Sequence, residues 1–276
     1  MSVTLQLTKD HSHTLYVPAL DETYHSRNGA IEEAMYVYIG RGLLDFVALK
    51  TDSSYIIDHS LESAENESAV RSQQSVVENI AGGFGFTQPP SIDSFIIPNP
   101  TSNFHHPISI LEIGFGTGLN AWLTALECVK NNIQCHYHSL ETFPLSVDIT
   151  DQLNYAQHAT DSEKELFNQL HAVEWNKTAA ISPCFNLTKH HTSLQNFTPS
   201  LFFDIIYFDA FAPEKQPELW SEELFQKLYN CLNPNGIIVT YSSKGEVKRT
   251  WKKIGFEVER LPGPPFKRHM LRGKKK

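Results

Sequence analysis

Cysteine is scarce in these 276 residues: Cys128, Cys135, Cys184 and Cys231 are the whole set, and no two stand at a metal-binding spacing. A disulfide-stapled secreted fold is excluded, and reduced, cytosolic thiols are expected. The chain opens with no leader-like segment and has no apolar run long enough for a membrane helix, so a soluble cytoplasmic protein is expected. Positive charge is also short overall. The formal net charge is −8, which alone argues against a nucleic-acid binder. Its distribution says otherwise for one flank: from Lys244 onward twelve basic residues face three acidic ones, +9 in net, so the rest carries −17. A basic flank on an acidic body can hold a polyanion, although a solvated helix face with a lysine tail gives the same pattern. His11/His13, His136/His138, His105-His106 and His190-His191 lack a cysteine or carboxylate partner at a recognisable spacing, so no metal is expected. No internal repeat is present.

What the chain does have is a glycine-rich turn. Ile108 to Ile113 is an apolar run that reads as a buried strand; Gly114-Phe115-Gly116-Thr117-Gly118 follows, and then a helical stretch, Leu119 to Val129. Glycines let backbone approach a ligand closely, and a helix N-terminus offers free N–H groups. A dinucleotide fingerprint would need glycine at position 119, which is Leu119. Gly-x-Gly-x-Gly is instead the usual first motif of S-adenosylmethionine-dependent methyltransferases, which makes Gly114, Gly116 and Gly118 candidate cofactor residues.

Val3 to Leu7 and Thr14 to Val17 read as a hairpin, and Met35 to Ile39 as a strand, giving a β-rich extension over 1–50. Residues 51–106 are rich in Ser, Glu, Asn, Gln, Gly and Pro and read as an inserted or mobile segment, with a short helix possible over 62–80. A core follows over 107–276. Strands are expected at Gln134–Leu140, Phe185–Lys189, Phe202–Phe208, Gly236–Tyr241, Phe256–Arg260 and His269–Arg272. Helices are expected around Leu145–Ala156, Ser162–Ala172, Glu218–Leu232 and Glu246–Ile254. This alternation implies an α/β, doubly wound Rossmann-like sheet with its ligand at the carboxyl ends of the strands.

Two acids fall at such ends. Glu141 ends the second core strand, 23 residues after Gly118, where a carboxylate can accept both ribose hydroxyls of an adenosine. Asp209 follows the very apolar run ending at Phe208. A carboxylate there can accept hydrogen bonds from a substrate amine and take the proton lost on transfer. Each also has a plainer reading as the cap of a following helix or turn. Glu112 is placed to accept from a ligand ammonium, directly or through water, and Phe211 to stack on an unstacked base.

The run Asp209-Ala210-Phe211-Ala212-Pro213-Glu214-Lys215-Gln216-Pro217-Glu218-Leu219-Trp220 resembles the signature of the methyltransferase domain of tRNA 5-methylaminomethyl-2-thiouridine biosynthesis, the MnmC/MnmD family. Tyr24 to Val37, Gly114 to Asn120, and Thr240 to Arg249 with Gly255-Phe256 and Gly263 to Met270 resemble its other motifs. The resemblance implies methyl transfer from S-adenosylmethionine to the exocyclic amine of 5-aminomethyl-2-thiouridine at the tRNA wobble position. It implies Asp209 as the active-site aspartate, the glycines and Glu141 as cofactor residues, and Tyr24 and Glu33 near cofactor or substrate. It further implies a stand-alone form without the flavin domain of longer members, fed by upstream tRNA-modifying enzymes. The basic flank, with Lys248, Arg249, Lys267 and Arg268, is expected to grip tRNA phosphates. The family's C-terminal block often reads Gly-Pro-Pro-Gly-Lys-Arg-Glu-Met; here Phe266 and His269 replace Gly and Glu, and Phe266 is strained if that position needs positive φ. Another amine substrate, or an RNA-binding relative without catalysis, stays open.

Overall fold

The computed structural model describes residues 2–51 and 106–276. The expected insertion, with its short helix at 62–80, lies outside the described residues. Strands β1 (Thr4–Leu7), β2 (His13–Val17) and β3 (Glu22–Thr23) form a small antiparallel sheet. Helix α1 (Ala30–Ala34), a π-helical segment (Met35–Leu44) and α2 (Asp45–Thr51) follow. In the core come β4 (Ile108–Ile113), α3 (Leu119–Asn131), β5 (Cys135–Glu141), α4 (Val147–Thr150), α5 (Asp161–Ala172), β6 (Thr178–Ser182) and β7 (Phe185–His191). The chain continues through β8 (Phe203–Phe208), α6 (Glu222–Asn230), β9 (Leu232–Thr240), α7 (Gly245–Ile254), β10 (Glu257–Pro262) and β11 (His269–Lys274).

Among the described residues the main sheet runs β10-β11-β9-β8-β4-β5-β7-β6. The pairs β4·β5, β4·β8, β5·β7 and β8·β9 are parallel, while β6, β10 and β11 pair antiparallel at the two edges. Both faces are covered, as β4 records residue by residue. Ile108 and Ile110 join the core under α3, α5 and the π-helical segment; Leu111 and Ile113 join the opposite core under α6 and α7. Trp251 of α7 and Phe225 of α6 are fully buried there, worth about 1.5–3 kcal/mol for a side chain of Phe size. Thr160 starts α5 with a reciprocal capping box to Glu163. The expected doubly wound architecture is present, and no helix of the described residues is long and apolar enough to cross a membrane.

Three local expectations fail. Met35–Ile39 is not a strand but the start of the π-helical segment. Val37 to Leu44 are all buried, so this helix has no polar face to give a 3.6-residue period, and its β-branched and aromatic side chains imitate a strand. Gly42 allows the close approach: a Cβ there would stand 2.8 Å from the Tyr207 ring. The helix expected over Leu145–Ala156 shrinks to α4, and that over Glu218–Leu232 divides into a 3-10 turn, Pro217–Trp220, and α6, with Leu232 already in β9. Strand β6, an edge strand of small residues, has no counterpart in the sequence reading.

Candidate functional site

The carboxyl ends of β4, β5 and β8 open on one pocket. It is lined by Tyr24, Gly114, Gly116, Glu141, Asp209 and Phe211, which the sequence had singled out, and also by Asn120 and Phe143. The glycine turn is its floor. Gly114, Gly116 and Gly118 have φ of 96°, 52° and 74°, in the left-handed region that side chains resist. Closeness matters too: a Cβ on Gly114 would meet the Asp209 carbonyl at 3.1 Å, and one on Gly116 the Tyr24 ring at 3.0 Å. From behind, Phe115 is braced by Lys189, whose Nζ lies 5.2 Å from its ring centroid and donates to the His171 carbonyl at 2.9 Å. Burial pushes that ammonium down to about 8. The sequence reading did not single out Lys189, although alternation along β7 puts it on the face of the buried Phe185 and Leu187.

Glu141 bridges the turn to its own strand end, accepting from the Gly116 N–H at 2.9 Å and the Phe143 N–H at 2.7 Å. The carboxylate is thereby fixed at the edge of the pocket, where a diol can be received. Tyr24 crosses from the N-terminal motif to meet Phe211 edge-on, with ring centroids 5.2 Å apart.

Asp209 is the centre of the arrangement. Its Oδ1 accepts from the Tyr38 hydroxyl at 2.6 Å, and its Oδ2 from the Asn120 side-chain amide at 2.8 Å. Burial raises its carboxyl to about 6, against the lowering effect of those two donors. Such a group can take a proton near neutral pH. Tyr38 comes from the π-helical segment and Asn120 from the first turn of α3. Sequence reasoning quoted Asn120 only as part of the glycine motif and missed Tyr38, which lay inside the supposed strand. Behind them Lys267 pairs with Glu33 and sits 4.3 Å from the Tyr241 ring centroid, and Tyr241 donates to the Ala210 carbonyl at 2.9 Å.

Glu112 is elsewhere than expected. It is 0 % exposed, faces the interior below the turn and accepts from Ser139 Oγ at 2.6 Å. Burial pushes its carboxyl up to about 8, which favours the protonated form at neutral pH. Asn120 and Tyr137 also reach this carboxyl. Asn120 Oδ1 and Glu112 Oε1 are both buried without a hydrogen-bond partner among the described residues, while the Asn120 amide donates to Asp209. Glu33, Gly118, Lys248, Arg249, Lys267 and Arg268 do not line the pocket. Gly118 caps α3, while Lys248 and Arg249 lie on α7, away from its buried Val247 and Trp251. Phe266 has φ 70°, the strained conformation the sequence comparison anticipated.

Residues 166–276 match the model of a family described as S-adenosyl-L-methionine-dependent methyltransferase. The chain is 32 % identical over 186 residues to the tRNA 5-methylaminomethyl-2-thiouridine biosynthesis bifunctional protein MnmC of Hydrogenovibrio crunogenus, covering 63 % of this chain and 27 % of that protein. It is 34 % identical over 170 residues to the protein of the same name from Pseudomonas savastanoi, covering 59 % and 26 %. The chain thus spans about a quarter of the length of these relatives. Its fold is similar to the crystal structure of MNMC2 from Aquifex aeolicus, with a TM-score of 0.68 and 19 % identity over 100 % of this chain and 71 % of that one. The chain has the fold of the Rossmann-like S-adenosylmethionine-dependent methyltransferases and, over about three fifths of its length, is similar to the MnmC-named proteins.

Proposed function

We propose that this protein methylates the exocyclic amine of 5-aminomethyl-2-thiouridine at a tRNA wobble position, giving 5-methylaminomethyl-2-thiouridine. The observation that carries the reading is the Asp209 carboxylate, held by Tyr38 and Asn120 on the wall of a pocket floored by a glycine turn. The turn and the fixed Glu141 carboxylate fit an adenosyl ligand, and S-adenosylmethionine bound there supplies an electrophilic methyl group. Asp209 accepts an N–H of the neutral amine, which aims the nitrogen lone pair, and receives the proton that the methylated amine releases. Holding both partners in line supplies much of the acceleration. Tyr24 and Phe211 take the unstacked base between the pocket and its rim. Lys248, Arg249 and Arg268 hold phosphates; Lys267 serves chiefly to order Glu33. In this reading the aminomethyl group is already in place on the tRNA before methyl transfer, and the reaction runs in the cytoplasm.

The test uses total tRNA from cells lacking this modification step. Incubated with the protein and S-adenosylmethionine, then digested, it gains one methyl on 5-aminomethyl-2-thiouridine by mass spectrometry. No gain at that nucleoside, with cofactor binding intact, overturns the reading.

The pH profile gives a second check. Methyl transfer requires ionised Asp209, so kcat/KM falls as pH drops through about 6. The Tyr38 hydroxyl bond lowers the Asp209 pKa, so Tyr38→Phe moves this acid limb upward. Activity in Tyr38→Phe is then lost most at the acid end and recovers as pH rises. An unshifted limb sinks the role given to Tyr38.

A further inference from the structure

The structure assigns a stacking platform for a nucleobase of the RNA substrate to Phe266, at the tip of the turn between β10 and β11. The assignment rests on the tRNA reading above. Lys267 N–H donates to the Pro264 carbonyl at 2.9 Å, which closes a four-residue turn, Pro264-Pro265-Phe266-Lys267. Proline at its second position and φ 70° at its third are the pattern of a type II turn, where glycine is the usual third residue. Phe266 accepts the strain and gets no burial in return, since it is 72 % exposed, the most exposed large apolar side chain among the described residues. A residue both strained and unburied is a feature the fold does not need, and such features gather at working surfaces.

Its surroundings select the ligand. Lys9 Nζ lies 4.9 Å from the ring centroid, and Arg268, two residues on, is exposed. An aromatic face flanked by cations suits an unpaired base with its phosphates, because every base offers a π-face and every phosphate a charge. The position suits it as well. Lys267, the next residue, lies on the Tyr241 ring, and Tyr241 bonds the carbonyl beside Asp209. Two contacts therefore join the turn that carries Phe266 to the strand end that carries Asp209, the side on which this proposal places the neighbour of an unstacked wobble base.

The experiment compares wild type, Phe266→Gly and Phe266→Trp in methyl transfer to undermodified tRNA, in binding of the unmodified anticodon stem-loop, and in thermal unfolding. Base–aromatic stacking predicts that Phe266→Gly raises KM and the stem-loop Kd about 5- to 20-fold while kcat holds within about 2-fold. Phe266→Trp restores both. Glycine fits the turn, so Phe266→Gly melts no lower than wild type, and weaker RNA binding cannot be put down to a damaged fold. If Phe266→Gly binds and turns over tRNA like a fully active wild type, the platform is wrong and the proposed function stands. If wild type neither binds the stem-loop nor methylates tRNA, both fall.

Discussion

Asp209→Ala should lower kcat for methyl transfer by about 10²- to 10⁴-fold, the range for losing a group that orients the nucleophile and takes its proton. Cofactor binding should survive, because Glu141 and the glycine turn hold their places through Gly116, Phe143 and Leu140 rather than through the Asp209 side chain. Equilibrium dialysis with S-adenosylmethionine checks the second half, and single-turnover transfer the first. Asp209→Asn keeps the shape but accepts no proton, and its amide opposes the Asn120 donor that now meets Oδ2 at 2.8 Å. It is expected to be nearly as inactive, without the acid limb near pH 6. A variant with near-normal kcat, or one that loses the cofactor, would falsify the assignment.

Glu112→Gln should raise the melting temperature, and by more as pH rises. The group's pKa goes from an ordinary 4.5 to about 8 on burial. The folded state therefore holds a proton that the unfolded chain releases above pH 4.5. The native state is at its relative best below that pH and loses ground steadily up to about 8, where both states have ionised and the loss levels off. At 1.36 kcal/mol per pKa unit, the cost at alkaline pH reaches a few kcal/mol. Glutamine mimics the protonated acid, and its oxygen can accept from Ser139 as the carboxyl does. The two proteins should melt together at pH 4 and diverge between pH 5 and 8. A gap that does not vary with pH would show that Glu112 is not protonated in the native state.

How far the sequence revealed these features depended on whether the information was local. The three glycines, Glu141 and Asp209 sit at strand ends, and a strand followed by a turn is legible from the apolar run before it. Positive φ at Phe266 was legible because the resembling family often has glycine at that position. The π-helical segment was not legible, since a fully buried helix erases the polar stripe that distinguishes it from a strand. Missing it hid Tyr38, and with it one of the two side-chain donors to the Asp209 carboxylate. Glu112 failed for another reason. Adjacency to the glycines placed its backbone correctly, but the pleat turns alternate side chains to opposite faces, and Glu112 is buried and does not line the pocket. A carboxylate in that motif looks like a ligand group until its burial is known.

The π-helical segment also bears on how the protein is born. The Tyr38–Asp209 bond spans 171 residues, the Glu33–Lys267 pair 234 and the Tyr36–Pro262 bond 226. Contacts this distant along the chain form late, because the loops they close must be ordered first. During synthesis the glycine turn and α3 can emerge and pack while Asp209 is still inside the ribosome, and Glu33 waits unpaired until Lys267 arrives. A nascent chain can therefore have a cofactor-like turn long before it has a working carboxylate. If the proposed function holds, activity on RNA is withheld from every fragment that ends before Asp209.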